Sequence, residues 1–296
     1  MKSLLFLVLA MSAGCTVLAQ QSAYQDADSH TSIYLLDGNA NLTYNVSSSQ
    51  FTVGLLRMPS GQLPEFSWKN RGIAGINFSG KPSTSLSNQI FQSGNSPASI
   101  SGGGVIGFHR WAAPPKSTGT FADDWFLVNV NYTRSTFSTL TSSSTTATAQ
   151  HFNGFTIMPT YNFALQPNGV TMLIGASAGV SKTNNSDQLK KVSINTTDSQ
   201  SGSVSVVESS DAYMGNYAES YNVPVYFDFV IIPTKLEWIS LDAFERANTL
   251  KTDGYTEAGF GIFVAQPNKP TKVLGGISLA WKDGKQSIGI VGGWAF

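Results

Sequence analysis

At 296 residues the chain is long enough for one large domain or two ordinary ones. Only 12% of residues are charged, about half the usual share for a soluble domain. A hydrophobic content of 41% excludes a disordered chain. The 18 basic and 18 acidic residues cancel, which argues against a surface built for nucleic-acid phosphates.

The chain opens with Lys2, a short apolar run from Leu4 to Met11, and the small-residue stretch Val17-Leu18-Ala19 ahead of Gln20. That order is expected of a cleavable signal peptide over 1–19, and the run is too short for a membrane-spanning helix. Cys15, the single cysteine, offers a lipoprotein-type site as the alternative, but Ser12 fits such a site poorly. Cleavage after Ala19 removes the cysteine and leaves a mature chain without thiol chemistry. The stretch 20–39 is expected to be an N-terminal periplasmic segment touching the lumen of a barrel that begins near residue 40.

From about residue 40 the pattern changes to period-2 alternation in segments of roughly ten residues. Twelve strands are expected, at 40–46, 50–58, 70–79, 102–111, 124–134, 152–164, 170–182, 219–232, 236–247, 254–265, 272–282 and 286–296. Phe126, Val128, Val130 and Tyr132 alternate with Leu127, Asn129 and Asn131. Val225, Phe227, Phe229 and Ile231 alternate with Tyr226, Asp228 and Val230. Val273, Gly275, Ile277, Leu279 and Trp281 share one face against Leu274, Gly276, Ser278 and Ala280. Ile288, Ile290, Gly292, Trp294 and Phe296 repeat the pattern at the end.

One face is thus bulky and apolar and the other is small or polar. A soluble β-sandwich alternates too, but its second face is normally charged. Gly, Ser, Thr and Asn on that face suit a lumen, with lipid on the bulky side. A bilayer demands closure, because an open edge would leave backbone groups unpaired in hydrocarbon. The fold expected is therefore all-β, a closed antiparallel up-and-down transmembrane β-barrel over 40–296.

The connections separate into two sets. One set, 59–69, 112–123, 165–169, 233–235 and 266–271, is Pro-containing and mostly short, as in Gln166-Pro167-Asn168-Gly169. The other includes the long polar stretches 80–101, 135–151 and 183–218, which read as mobile outer loops. Trp281, Trp294, Phe296, Tyr161 and Phe163 lie near strand ends, where amphipathic rings suit lipid headgroups.

The ending Ile288, Ile290, Trp294 and Phe296 resembles the closing strand of the bacterial outer-membrane β-barrel superfamily. The resemblance implies a place in the bacterial outer membrane, contact with its lipid, and delivery by the barrel-assembly machinery. It does not imply an activity.

Chemistry is sparse. His30, His109 and His151 lack ligand spacing, so no metal or cofactor is expected. His30-Thr31-Ser32 has the residue types of a hydrolytic site but falls in the N-terminal segment, outside the barrel wall. Asp123-Asp124 reads as solvated turn residues opening a strand. No catalytic residue is assigned and no enzyme is expected. Charges inside strands should face inward, because lipid-facing Arg or Lys near the midplane costs about 2–4 kcal/mol. Arg71, His109, Asp228, Asp242, Arg246 and Glu257 are the candidate lumen-lining set. The function expected is a passive channel for small solutes. The alternative is a non-conducting structural or adhesive barrel acting through its long loops.

Overall fold

In the computed structural model, the described residues are 21–22, 24–26, 30–35, 41–45, 50–57, 69–81, 99–112, 121–140, 147–167, 169–186, 189–199, 205–233, 235–249, 256–266, 269–282 and 284–295. The leader expected at 1–19 lies outside them, as do Cys15 and Phe296.

Two short strands, β1 (Gln21–Ser22) and β2 (Tyr34–Leu35), pair only with each other. The wall begins with β3 (Asn41–Asn45), β4 (Gln50–Arg57), β5 (Lys69–Lys81), β6 (Ser99–Ala112), β7 (Phe121–Leu140) and β8 (Thr148–Gln166). It continues through β9 (Val170–Ala178) and its extension β10 (Val180–Asn184). Next comes a hairpin of β11 (Lys190–Ser199) and β12 (Ser205–Met214). The chain re-enters the wall as β13 (Glu219–Asn222), running straight into β14 (Pro224–Pro233). β15 (Ile239–Asn248), β16 (Thr256–Gln266), β17 (Lys269–Lys282) and β18 (Lys285–Ala295) complete it.

Each wall strand pairs antiparallel with its sequence neighbours, and β18 returns to β3 with Val291 opposite Asn45 and Ala295 opposite Asn41. The result is a closed up-and-down barrel of twelve strands, counting β9–β10 and β13–β14 as one strand each. Closure leaves no edge along the wall, as a hydrocarbon surround requires.

The alternation sorts side chains as the sequence suggests. Ile76, Phe78, Ile106, Val130, Tyr132, Ile157, Phe227, Leu241, Phe260, Ile262, Leu279 and Ile288 face outward and are exposed. Leu127, Asn129, Thr160, Asn162, Val230, Ser240, Phe263, Ser278 and Val291 face inward and are buried. An exterior this apolar on a folded chain needs an apolar surround.

The alternation breaks within β17. Val264 pairs with Gly275 but Ala265 pairs with Val273, so Leu274 is an extra residue in the ladder. This bulge turns Leu274 outward and buries Val273, which therefore does not share a face with Ile277 as the strict alternation had it.

Two of the long outer stretches, 135–151 and 183–218, contain paired strands among the described residues, whereas most of 80–101 lies outside them. β7 and β8 continue as a paired ribbon beyond the last β6 partner, with Thr136 opposite His151 and Thr139 opposite Thr148. The stretch 183–218 contains the β11–β12 hairpin, and β12 joins β7 in parallel through Ala212–Met214 and Ser138–Leu140. Phe137, Phe152, Leu189 and Tyr213, with Tyr217 against them, form a small separate core at this end. Ser/Thr-rich composition hid these strands because a polar ribbon above a membrane need not alternate in hydropathy.

Candidate functional site: a filled lumen

The N-terminal segment sits inside the barrel. β1 and β2 pair antiparallel, and the Asp26 N–H donates to the His30 carbonyl at 3.1 Å, so the described parts of the segment run as a hairpin. Tyr24, Asp26, Ser32 and Ile33 are fully buried. The stretch expected as a periplasmic segment touching the lumen thus fills it over the described residues. The His30-Thr31-Ser32 tripeptide, placed outside the wall by its sequence position, lies within the barrel for the same reason.

Side chains of β3, β7, β8 and β16 hold the hairpin to the wall. The Trp125 indole N–H of β7 donates to the Tyr34 carbonyl at 2.8 Å. Asn162 of β8 is bidentate, accepting from the Tyr34 N–H at 2.9 Å and donating to the Ser32 carbonyl at 2.5 Å. Asn45 of β3 donates to the Asp26 carbonyl at 2.8 Å. Tyr24 packs edge-on against Phe263 of β16, with ring centroids 5.1 Å apart. On β9, Gly175 lets the hairpin backbone approach: a Cβ there would meet the Ser32 carbonyl and come within 2.7 Å of the Ile33 side chain. No wall strand pairs with β1 or β2 among the described residues.

The electrostatic centre is Arg246 of β15. Its Nε donates to Asp26 Oδ2 at 3.1 Å and one terminal nitrogen to Asp228 Oδ1 at 2.6 Å. The other terminal nitrogen caps the carbonyls of Phe227 (2.7 Å) and Glu245 (3.1 Å). The guanidinium lies over the rings of Phe244 and Tyr226, at 4.8 and 5.4 Å. Asp228 also accepts from the Ser32 N–H at 2.5 Å and from the Ser32 hydroxyl. The arginine thus joins a carboxylate of the hairpin to a carboxylate of the wall. All three groups are fully buried, a geometry in which removing one partner is costly.

Of the candidate lumen residues, Asp228, Asp242, Arg246 and Glu257 point inward and are buried. Glu257 stands directly across the β15–β16 ladder from Arg246. His109 also faces inward but lies apart, near the end of β6, with Nε2 2.6 Å from Asp123 Oδ1. Arg71 is opposite His109 in the β5–β6 ladder, and its side chain is outside the described set. Asp123 and Asp124 are strand residues rather than solvated turn residues. Asp124 is buried on the outer face by a bidentate pair with Arg110 (2.8 and 3.0 Å) and by the Tyr161 hydroxyl (2.9 Å). Pairing explains how these two charges face outward, which a lone strand charge would not do.

His30 stacks on Tyr226, with Nδ1 3.4 Å from Asp26 Oδ2. The Ser32 hydroxyl is committed to Asp228, so no hydrogen-bonded serine–histidine pair forms among the described residues. None of them forms a cluster of three or more His, Cys, Asp or Glu able to hold a metal ion. At the outer end, hydrogen bonds from Lys182 (2.6 Å) and the Tyr217 hydroxyl (2.9 Å) hold Glu219 below the usual carboxylate range. Of the closing-strand residues, Ile288 is exposed and Ile290 is half-buried on the outer face. Trp294 is in register with Leu42, its side chain outside the described set.

The sequence signal that could have revealed the hairpin is faint. It is the run of single polar residues, Asp26, His30 and Ser32, between Tyr24 and Ile33.

No family model matches the chain, and no curated protein matches it. Among solved structures, the chain is similar to the beta domain of the Bordetella autotransporter BrkA, at 11% identity and a TM-score of 0.39, covering 87% of this chain and 97% of that one.

Proposed function

We propose that this protein is a bacterial outer-membrane barrel that works as a closed pore, passing small solutes only when its N-terminal hairpin leaves the lumen. The apolar exterior of a closed wall supports the membrane setting, in contact with outer-membrane lipid and inserted by the barrel-assembly machinery. The observation that carries the reading is how the hairpin is held. It is fixed through side chains and shares no strand pairing with the wall among the described residues. It is therefore an insert that can leave without opening the barrel. Once vacated, the lumen presents Asp228, Asp242, Arg246 and Glu257 to a passing solute.

A second reading is favoured by the outer end. The β7–β8 ribbon, the β11–β12 hairpin and their aromatic core form a built platform rather than a loose loop, suiting a non-conducting barrel that presents a binding surface. Conductance in planar bilayers separates the two. The pore reading expects a nearly silent full-length protein and steady conductance after deletion of residues 21–35. A silent deletion variant that still shows the heat-dependent gel shift of a folded barrel would overturn it in favour of the platform.

A further inference from the structure

We infer that a groove on the outer wall between β16 and β17 holds one acyl chain of an anionic phospholipid from the periplasmic leaflet. The inference rests on the membrane setting proposed above and is independent of where the hairpin sits. The groove has a volume of about 550 Å³ and lies on the outward face. Phe260 stands opposite Leu279 and Ile262 opposite Ile277, and all four are exposed. Two residues further along, Val264 faces Gly275, which in turn faces Gly292 of β18. Two side chains are thus missing from a row whose neighbours carry bulky ones. Leu274, turned outward by the bulge, borders the gap.

Shape and chemistry decide the occupant. From Phe260 to Val264 the groove runs about 14 Å along the strand. At the usual strand tilt of about 40° this is about 10 Å of depth, within the ~15 Å that one leaflet contributes to the hydrocarbon. No polar side chain lines it among the described residues, so a sugar, a headgroup or a peptide backbone would lie there unpaired. A second copy would bring another convex wall, whose ridges rest on the rims and leave the floor empty. A flexible hydrocarbon chain can follow the floor. Hydrophobicity alone does not select that chain, since the surrounding lipid is equally apolar. Dispersion contact with the floor and both rims does, together with whatever holds the headgroup.

Position and charge decide the leaflet and the headgroup. The groove lies toward the β16–β17 turn, at the end of the barrel opposite the β7–β8 ribbon and the β11–β12 hairpin. Short turns mark the periplasmic end of such barrels. The sequence from Ala265 to Val273 holds Lys269 and Lys272 and no acidic residue. Lys272 is two positions before Leu274, about 7 Å along the strand. A pair of lysine positions at this end suits the phosphate of a lipid whose chain enters the groove, and favours an anionic headgroup over a zwitterionic one.

The test uses the full-length protein folded in detergent with a mixture of phosphatidylglycerol and phosphatidylethanolamine. After washing in detergent, the retained lipid is counted by native mass spectrometry. One phosphatidylglycerol per barrel should survive the wash. Ile277→Trp fills the groove with an equally apolar side chain and should lower that occupancy several-fold. Ile106→Trp, on the outward face of β6, should leave it unchanged, and Lys272→Ala should remove the preference for phosphatidylglycerol. Should Ile277→Trp lose the heat-dependent gel shift of a folded barrel, Gly292→Leu takes its place, because a Cβ there meets nothing within 4 Å. No retained lipid in the parent, or equal retention in the groove-filling variant, would overturn the inference. A parent dimer that the same variant turns into a monomer would assign the groove to a second copy and overturn it too. A barrel that folds and stays soluble without detergent would overturn the membrane setting itself, and the inference with it.

Discussion

Replacing Arg246 with Ala should release the hairpin while leaving the barrel closed on itself. The guanidinium makes the charged contact between Asp26 of the hairpin and Asp228 of the wall, and all three groups are fully buried. Truncation leaves two carboxylates facing one another without the guanidinium between them. Breaking a buried pair this way costs about 3–5 kcal/mol. Asp26 recovers its hydration only if the hairpin moves out, so most of that cost falls on the hairpin equilibrium. At about 1.4 kcal/mol per tenfold, the population with the hairpin out rises roughly 100- to 3,000-fold. Chymotrypsin can read this at Tyr24 and Tyr34, since cleavage of a transiently open segment tracks its equilibrium population. Asp26→Asn, which keeps the Arg246–Asp228 pair, should shift the equilibrium by a smaller amount, about 1–3 kcal/mol. If Arg246→Ala is cleaved no faster than the parent while retaining its gel shift, the ion pair does not hold the hairpin and the reasoning fails.

Gly175→Ala should act from the opposite wall, because the new methyl collides with the Ser32 carbonyl and the Ile33 side chain. Bilayer recordings should show more frequent openings without loss of folded barrel; unchanged recordings would count against the close approach. Trp125→Phe removes the bond to the Tyr34 carbonyl and should loosen the hairpin by only about 0.5–1.5 kcal/mol, seen as a modest gain in cleavage. Ile106→Lys places a charge on an outward residue that is 65% exposed in the middle of β6. In a lipid-embedded wall it should cost about 2–4 kcal/mol in unfolding from vesicles. In a water-soluble barrel the same change would stay within about 0.5 kcal/mol.

The wall was legible because lipid imposes one rule on every strand, bulky outside and small or polar inside, and the expected strands fall on the observed ones. Outer extensions such as Ser135–Leu140 escaped because that rule lapses above the membrane. The bulge at Leu274 escaped because one extra residue leaves the composition of both faces intact. Asp228, Asp242, Arg246 and Glu257 could be placed in the lumen from the cost of charge in hydrocarbon. Arg110 and Asp124 could not, since their outward position depends on a partner one strand away. The hairpin was the least legible element. Its residues are positioned by Asn162, Trp125 and Arg246, which are more than 90 positions away in sequence, and nothing periodic within 20–39 announces that.

Amide hydrogen exchange over residues 24–35 of the full-length protein in detergent tests the central claim most directly. The Ser32 and Tyr34 amides are bonded to Asp228 and Asn162 inside the barrel. Peptides covering them should therefore stay protected for as long as peptides from the wall strands. Complete exchange at the first time point, with the wall still protected, would show the segment free in solvent and contradict a lumen closed by its own N-terminal hairpin.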